Sequence, residues 1–198
     1  MQNKNKLIST ILLDRDGVLI EDTDLLTDAA QIHILDGVPD ALQILKRAGY
    51  QLIVISNQPV VARGMLSEPD VVALQEEVNR CLIAAGAPNL DAFYFCPHHP
   101  NATLLTYRLD CDCRKPKPGL LMRAAQEHGI DMARSFMIGD RITDVIAGNR
   151  AGCRTIQVQT GKHLAPLIQT IEPLDLSLQP DFICPDLPAA ARWILEVT

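Results

Sequence analysis

The sequence predicts an α/β fold, a Rossmann-like parallel sheet with helices on both faces, from two observations. Short apolar runs with the length and β-branched content of buried strands alternate with longer segments of helical periodicity along the 198 residues. Four strand tips carry polar residues, as strands do when their carboxyl ends line a ligand-binding crevice. Alternating strands and helices imply crossover connections, which cover both faces of a parallel sheet.

The N-terminal part contains the first strand, a flap and the first helix. An apolar run over residues 7–13 predicts a buried strand that stops at Asp14, Asp16 and a glycine. Residues 19–34 mix acids with scattered apolar residues, which predicts a short flap over the strand tip, too short for a large cap domain. Asp36 is the predicted N-cap of the helix that follows.

The middle of the chain repeats the alternation. Residues 51–55 predict the second strand and residues 59–64 a loop. Ser67 is the predicted N-cap of a long helix, with Asp70 as its capping-box partner. The aromatic run over residues 90–95 predicts the third strand, which leads into a long irregular loop.

The remainder of the chain completes the sheet. The predicted elements are a helix over residues 118–128, a strand over 135–138, a helix over 142–151, a strand over 154–158, a loop or insert over 163–179, an apolar run over 181–184 and a helix over 187–197. Cys81, Cys153 and Cys184 fall within helix or strand patterns, so we expect them to be core residues.

Composition limits the classes of function. One domain over residues 1–198 is expected from this length and a hydrophobic fraction of 47%. The net charge of −6 argues against a nucleic-acid-binding surface, and the first apolar run is broken too soon by Asp14 to be an export signal or a membrane span. We therefore expect a cytoplasmic monomer that acts on a small molecule and binds neither nucleic acid nor membrane.

Polar groups at four strand tips would meet at one edge of the predicted sheet. These groups are Asp14 with Asp16, Ser56 with Asn57, Lys115, and Asp140 with Asp144. Each acid taken singly is better explained as a cap or a solvated turn, but acids at separate tips would repel one another without a cation between them. Together the groups suit hydrolysis of a phosphate monoester through an aspartyl-phosphate, with Mg²⁺ offsetting the repulsion between nucleophile and phosphate.

The order of these motifs resembles the haloacid dehalogenase superfamily of phosphatases. The resemblance is carried by Asp14-Arg15-Asp16-Gly17, Ser56-Asn57-Gln58, Lys115 and Gly139-Asp140-Arg141-Ile142-Thr143-Asp144. It implies that Asp14 is the nucleophile and Asp16 the general acid/base. It also implies a phosphate site of Ser56, Asn57, Gln58 and Lys115, and a Mg²⁺ site of Asp14, the Asp16 carbonyl and Asp140. Asp144 and Arg141 belong to the fourth motif with their roles left open.

Cysteines and histidines cluster in the long loop after the third strand. Cys96, His98, Cys111 and Cys113 supply three thiolates and an imidazole, a complete tetrahedral set for a closed structural Zn²⁺ site. His99 is an alternative to His98, and unpaired buried cysteines are the alternative to a metal site. The loop has few apolar residues, so we expect it to need such a staple.

The sequence of this zinc loop narrows the resemblance. Cys-Pro-His-His-Pro followed by Cys-Asp-Cys-Arg-Lys-Pro is similar to the D-glycero-D-manno-heptose 1,7-bisphosphate 7-phosphatases, over about residues 11–162. The histidinol-phosphate phosphatases share the zinc signature, but the longer spacer between His98 and Cys111 favours the heptose family. The chain departs from that family at Pro59-Val60 and at Val18-Leu19-Ile20, which leaves the particular sugar open.

The resemblance implies a phosphorylated sugar as substrate. With no cap domain, specificity is expected from the flap, the 59–64 loop and the zinc loop. Arg63 and Arg114 are the candidates to bind a second phosphate, because a planar guanidinium can hold two phosphate oxygens. Histidinol phosphate or another small phosphomonoester is the alternative substrate. A non-catalytic, zinc-stapled regulatory protein is the alternative of another class, and the intact acids argue against it.

Overall fold

The computed structural model describes residues 7–164 and 178–198. In these ranges the strands are β1 (Thr10–Leu13), β2 (Gln51–Asn57), β3 (Ala92–Cys96), β4 (Phe136–Gly139), β5 (Arg154–Val158) and β6 (Phe182–Cys184). They form one sheet in the order β3-β2-β1-β4-β5-β6, and every neighbouring pair is parallel. The predicted Rossmann-like parallel sheet is therefore confirmed.

Helices connect the strands. They are α1 (Val38–Arg47), α2 (Pro59–Ala62), α3 (Glu68–Ala84), α4 (Gly119–His128), α5 (Ile142–Ala151) and α6 (Leu187–Glu196). Short 3-10 turns lie at Ala29–Gln31 in the flap, at Leu105–Tyr107 in the zinc loop and at Met132–Arg134 before β4. Among the residues that the structure describes, none of the helices combines the length and apolar character needed to cross a membrane.

Side chains of the strands alternate between two apolar layers, because successive residues of a strand point to opposite faces. On β1, Ile11 and Leu13 pack in the layer that contains the buried residues of α1 and α6. Leu12, between them, packs in the layer formed with α4 and α5. Burial on both faces explains why three consecutive residues of β1, Ile11, Leu12 and Leu13, are apolar.

The strand order reverses at β1, and this reversal positions the site. The sheet grows outward from β1 through β2 on one side and through β4 on the other. At such a switch point the loops leaving the two central strands diverge and open a crevice at their carboxyl ends. Asp14 follows β1 directly and Asp140 follows β4 directly, so both acids lie at this crevice.

Two predicted local features differ from the structure. The prediction of Asp36 as N-cap is wrong: the cap is Gly37, with φ of 72°. A side chain there would lie 2.7 Å from Pro188 of α6, so the close approach of that helix requires glycine. The predicted 59–64 loop contains α2, which Pro59 begins with the fixed φ that suits a first helical position.

Other local predictions agree with the structure. Ser67 and Asp70 form the expected capping box of α3. Cys153 and Cys184 are core residues, whereas Cys81 is only half-buried. Most of the loop or insert predicted over residues 163–179 lies outside the described residues.

Candidate active site

The turn after β1 carries the first two acids. The Asp14 backbone N–H donates to the Ile138 carbonyl over 2.9 Å, which ties the turn to β4. The Asp14 side chain is nearly buried, and its Oδ1 accepts a 2.7 Å hydrogen bond from the Arg15 backbone N–H. The other oxygen, Oδ2, faces the ammonium group of Lys115.

Lys115 lies at the centre of the site with its side chain fully buried. Its Nζ donates to the Ile55 carbonyl over 2.7 Å and lies 3.1 Å from Asp14 Oδ2 and 2.6 Å from Asp144 Oδ1. Burial alone would lower the pKa of Lys115, but the charges of Asp14 and Asp144 outweigh it and raise that pKa. The lysine is therefore a fixed positive charge between Asp14, in the turn after β1, and Asp144, in the first turn of α5.

Three carboxylates meet beside this ammonium. Asp14, Asp140 and Asp144 each offer an oxygen, and these oxygens lie within 4.8 Å of one another. Burial and the neighbouring charges of Asp144 and Asp14 raise the pKa of Asp140 to about 8. Burial likewise raises the pKa of Asp144 to about 6, against the opposing charge of Lys115. Burial is the larger cause of both shifts, and repulsion from the neighbouring carboxylates, which a bound metal cation would offset, adds to it.

The donor set fits a divalent cation that prefers oxygen ligands. Asp140 is fully buried, and its Oδ1 has no hydrogen-bond partner. A buried carboxylate oxygen without a partner is unfavourable, and a bound cation would satisfy it. The structure thus brings together the two acids predicted for Mg²⁺, Asp14 and Asp140, and adds Asp144, whose role the sequence left open.

The loop after β5 contributes to the site, which sequence reasoning missed. The Lys162 backbone N–H donates to Asp140 Oδ2 over 2.6 Å, and Thr160 Oγ1 donates to the Gly17 carbonyl over 2.6 Å. Gly161 packs against Gly17, since a Cβ on Gly161 would lie 2.8 Å from the Gly17 Cα and 2.3 Å from Asp140 Oδ2. The strand-tip rule applied to the fifth strand would have found this loop.

Asp16 is held by two neighbours. Arg15 Nε and Nη2 donate to Asp16 Oδ1 over 3.1 and 3.0 Å, and Nη2 also donates to Oδ2 over 2.8 Å. Gln58 Nε2 donates to Asp16 Oδ2 over 3.1 Å and to Ser56 Oγ over 2.9 Å. The predicted general acid/base and the predicted phosphate ligand Ser56 are thereby linked through one amide. No role is predicted for the Arg15 side chain from sequence alone.

Asn57, the last residue of β2, connects that strand to the backbone of Lys115. Its Nδ2 donates to the Lys115 carbonyl over 3.0 Å, and its Oδ1 accepts from the Lys115 backbone N–H over 3.1 Å. Both ends of the amide therefore hold the backbone at Lys115. Arg63, at the end of α2, is exposed. The phosphate contacts of Asn57, Gln58 and Arg63 stay predictions.

The flap is attached to the crevice by ion pairs. Asp22 lies 3.1 Å from Arg141 Nη2 and 3.1 Å from Lys162 Nζ, and Lys162 also pairs with Asp24. Burial opposes ionisation of Asp22, but hydrogen bonds from the Asp24 backbone, Lys162 and Arg141 lower its pKa overall. Arg141 thus joins the fourth motif to the flap.

The predicted zinc ligands also come together. The Sγ of Cys113 lies 3.1 Å from those of Cys96 and Cys111, which are 3.6 Å apart. His98 Nδ1 lies 3.3 Å from Cys113 Sγ and 3.7 Å from Cys96 Sγ. These separations approach the edges, roughly 3.5–3.8 Å, of a tetrahedron with Zn–S about 2.3 Å and Zn–N about 2.0 Å. They far exceed a disulfide bond of about 2.05 Å.

The thiols of the cluster shift one another's pKa values. Hydrogen bonds from Cys96, and also from Cys111 and His98, lower the pKa of Cys113 to about 5. Its thiolate, together with burial, raises the pKa values of Cys96 and Cys111.

His98, rather than His99, faces the thiols; His99 is buried and its Nδ1 accepts from the Asn101 backbone N–H over 3.0 Å.

Arg114 lies between the zinc loop and the crevice. Its Nη1 donates to the His98 carbonyl over 3.0 Å, and burial lowers its pKa. Its neighbours in the chain are Cys113 of the thiol cluster and Lys115 of the crevice. The cluster of Cys96, Cys111 and Cys113 therefore lies directly before the segment that carries two positively charged side chains, those of Arg114 and Lys115.

Comparison with known proteins places the chain among phosphatases. The HAD-hydrolase-like family model matches residues 112–190. The chain is 42% identical over 156 residues to the D-glycero-beta-D-manno-heptose-1,7-bisphosphate 7-phosphatase of Photorhabdus laumondii, covering 78% of this chain and 82% of that protein. It is 40% identical over 162 residues to the enzyme of the same name from Escherichia coli K12, covering 81% and 84%.

A solved structure resembles the whole described fold. It is a D,D-heptose 1,7-bisphosphate phosphatase from B. bronchiseptica, crystallised with magnesium and phosphate. The TM-score is 0.80 at 31% sequence identity, and the match covers 96% of this chain and 100% of that one.

Proposed function

The chain belongs to the haloacid dehalogenase-like family of D-glycero-beta-D-manno-heptose-1,7-bisphosphate 7-phosphatases, and from this membership we propose that it removes the 7-phosphate of D-glycero-D-manno-heptose 1,7-bisphosphate with the aid of Mg²⁺. The observation that carries the proposal is the buried ammonium of Lys115, 3.1 Å from Asp14 and 2.6 Å from Asp144. A lysine held there can neutralise a phosphate that approaches an anionic nucleophile.

The reaction proceeds in two displacements at phosphorus. In the first, an Asp14 oxygen attacks phosphorus, the bond to the sugar oxygen breaks, and a proton from the Asp16 carboxyl goes to that oxygen. In the second, water attacks phosphorus and gives its proton to Asp16, while the bond to Asp14 breaks. The sum is ester plus water giving alcohol plus phosphate, with both acids restored.

The protein groups around phosphorus have distinct tasks. Lys115 and Ser56 receive the non-bridging phosphate oxygens, because one is a buried cation and the other a buried hydroxyl at the neighbouring strand tip. Asn57 holds the backbone of Lys115 from β2. The ammonium is therefore preorganised and need not rotate into place when substrate binds.

The Mg²⁺ ion would be held by Asp14, Asp140 and the Asp16 carbonyl, with Asp144 adjacent. The unpaired Oδ1 of Asp140 and the raised pKa values of Asp140 and Asp144 support this assignment. When bound, the ion supplies charge neutralisation between the nucleophile and the phosphate.

We further propose that Cys96, His98, Cys111 and Cys113 hold a structural Zn²⁺. Four ligands close a tetrahedral site, so no position is left for substrate. All six cysteines of the chain are free, which is consistent with a reducing compartment such as the cytoplasm. The ion would fix the loop that ends in Arg114 and Lys115.

A second anionic group distinguishes a bisphosphate from a simple phosphomonoester. Arg114 is mostly buried and is bonded through Nη1 to the His98 carbonyl, so it is held in place beside Lys115. We propose that it binds the second phosphate, with the exposed Arg63 at the end of α2 as a further contact.

Phosphate release from matched substrates tests the proposal. The enzyme with Mg²⁺ is assayed on both anomers of heptose 1,7-bisphosphate, on heptose 7-phosphate and on histidinol phosphate. We expect the highest kcat/KM for a bisphosphate anomer, and we expect Arg114→Ala to lower it by about 10- to 100-fold, the loss of one charge-assisted contact. Equal kcat/KM for the bisphosphate and histidinol phosphate, both lowered alike by Arg114→Ala, would contradict it.

A further inference from the structure

Arg15 is an unusual component of the site because its side chain is buried to 1% exposure. It lies between Asp14 and Asp16 in the sequence. Among the described residues, it has the largest volume of the fully buried side chains. Removing a guanidinium from water is unfavourable unless it is paired and hydrogen-bonded. The groups that it contacts therefore indicate what this charge holds.

Those contacts converge on one carboxylate. Arg15 donates hydrogen bonds of 2.8–3.1 Å to both oxygens of Asp16: Nε and Nη2 bond to Oδ1, and Nη2 also bonds to Oδ2. Gln58 closes a ring: its Oε1 accepts from Arg15 Nη2 over 3.0 Å, and its Nε2 donates to Asp16 Oδ2 over 3.1 Å. An aspartate held at both oxygens by two groups cannot rotate freely about its side-chain torsions.

The ring is anchored to the scaffold on both sides. The Gln58 backbone N–H donates to the Cys96 carbonyl over 2.8 Å, at the start of the zinc loop. Gln58 Nε2 also reaches Ser56 Oγ over 2.9 Å. On the other side, the Arg15 backbone N–H donates to Asp14 Oδ1 over 2.7 Å. The ring is thus a fixed part of the crevice wall.

We propose that Arg15 and Gln58 are positioning residues that fix the rotation of the Asp16 carboxylate, and so the direction in which Asp16 exchanges its proton. The inference rests on the proposed function, which assigns that exchange to Asp16. Neither residue needs to touch the substrate. Proton transfer by a placed side chain contributes about 10²- to 10⁴-fold to rate, and it depends on hydrogen-bond reach. Loss of the ring should therefore lower kcat and leave KM nearly unchanged.

The choice of leaving group separates this role from a purely structural one. A sugar alkoxide needs a proton to leave, so a misplaced Asp16 slows the first displacement. The p-nitrophenolate ion leaves without a proton, so its first displacement is spared and only the attack of water on the aspartyl-phosphate is slowed. With p-nitrophenyl phosphate, the variants should accumulate phosphorylated Asp14 and give a burst of product.

The experiment compares Arg15→Met and Gln58→Met with wild type. Gln58→Met leaves the buried charge of Arg15 in place and keeps the side-chain length at position 58, so it remains informative if Arg15→Met fails to fold. Arg123→Met removes an arginine from the exposed pair with Glu127 on α4 and serves as the control. Circular dichroism and zinc content verify the fold. We expect a 10²-fold or larger loss of kcat on the heptose bisphosphate, little change in KM, and a burst of about one p-nitrophenol per enzyme.

Two results would overturn the proposal. Folded variants with wild-type kcat would show that Asp16 needs no clamp. Equal losses on both substrates without a burst would show that Arg15 and Gln58 act only on the stability of the fold. A failure of the proposed function is distinguishable, because it would show as full phosphatase activity in Asp14→Asn.

Discussion

The amide of Asn57 offers a sharp test of how the site is built, through the substitution Asn57→Ala. The change removes two hydrogen bonds of 3.0 and 3.1 Å to the backbone of Lys115. Each contributes about 1 kcal/mol net, and the freed backbone groups are part-buried, so we expect a loss of about 2–4 kcal/mol in the free energy of unfolding. For a chain of this size, this corresponds to a fall in Tm of roughly 4–15 °C.

The activity of Asn57→Ala should also fall, because Lys115 would lose the hydrogen bonds that hold its backbone. A shift of about 1 Å in a catalytic group can cost about 10²-fold in rate, so kcat of Asn57→Ala should fall by that order. Urea denaturation measures stability, and phosphate release measures kcat and KM. Asn89→Ala is the matched control, because Asn89 takes part in an amide contact of 2.6 Å between exposed side chains. We expect it to change neither quantity appreciably.

A double-mutant cycle decides whether Asn57 acts through the lysine. If it does, Asn57→Ala should cost little further kcat in a Lys115→Met background, because the group that it positions has already gone. Losses of kcat that multiply in the double variant would show that Asn57 acts independently of Lys115. A rise in KM with unchanged kcat would instead identify Asn57 as the phosphate ligand that the sequence predicts.

Three further predictions concern the two metal sites. Cys113→Ser should lower zinc from about one per chain to a small fraction, and lower turnover with it, because Lys115 follows two residues later; metal analysis and phosphate release measure both. Gly161→Ala should weaken Mg²⁺ binding at least tenfold by calorimetry, because its Cβ would lie 2.3 Å from Asp140 Oδ2. Mg²⁺ affinity should rise with pH by roughly tenfold per unit up to about pH 8, because the pKa of Asp140, raised to about 8, lets a proton compete with the ion below that pH.

Each of these has a clear contrary outcome. Cys81→Ser is the control for Cys113→Ser and should keep full zinc, because Cys81 is a half-buried cysteine outside the cluster. A folded, zinc-free Cys113→Ser enzyme with full activity would show that the loop needs no zinc to hold its structure. Unchanged Mg²⁺ affinity in Gly161→Ala would show that Asp140 is free to move. A pH-independent affinity between pH 6 and 8 would show that Asp140 is already ionised without the ion.

The architecture could be predicted because its signals are local. Burial on both faces favours consecutive apolar residues at 11–13 of β1, and Asp14, which ends them, is visible in the sequence. The helix α5 and the strand β5 have the predicted bounds for the same reason. Asp36 was assigned as N-cap incorrectly because the deciding contact, Pro188 against Gly37, joins residues far apart in the chain.

The roles within the site depend on contacts that spacing does not encode. Asp14, Lys115 and Asp140 follow strand tips and were found by that rule. Arg15 was missed because alternation on an extended strand would direct it away from the crevice, whereas the turn brings it onto Asp16. Lys162 was missed because it acts through its backbone N–H, a group that every residue but proline carries.

The proposed mechanism requires that Asp14 becomes phosphorylated during turnover, and mass spectrometry of the acid-quenched enzyme can detect this intermediate. Wild type and Asp16→Asn are mixed with p-nitrophenyl phosphate and Mg²⁺, quenched within milliseconds, and digested. We expect one added phosphoryl group on the peptide that contains Asp14, at a higher level in Asp16→Asn because its second displacement is slowed, and none in Asp14→Asn. Product release without any phosphorylated peptide, or a phosphoryl group on another residue, would contradict it.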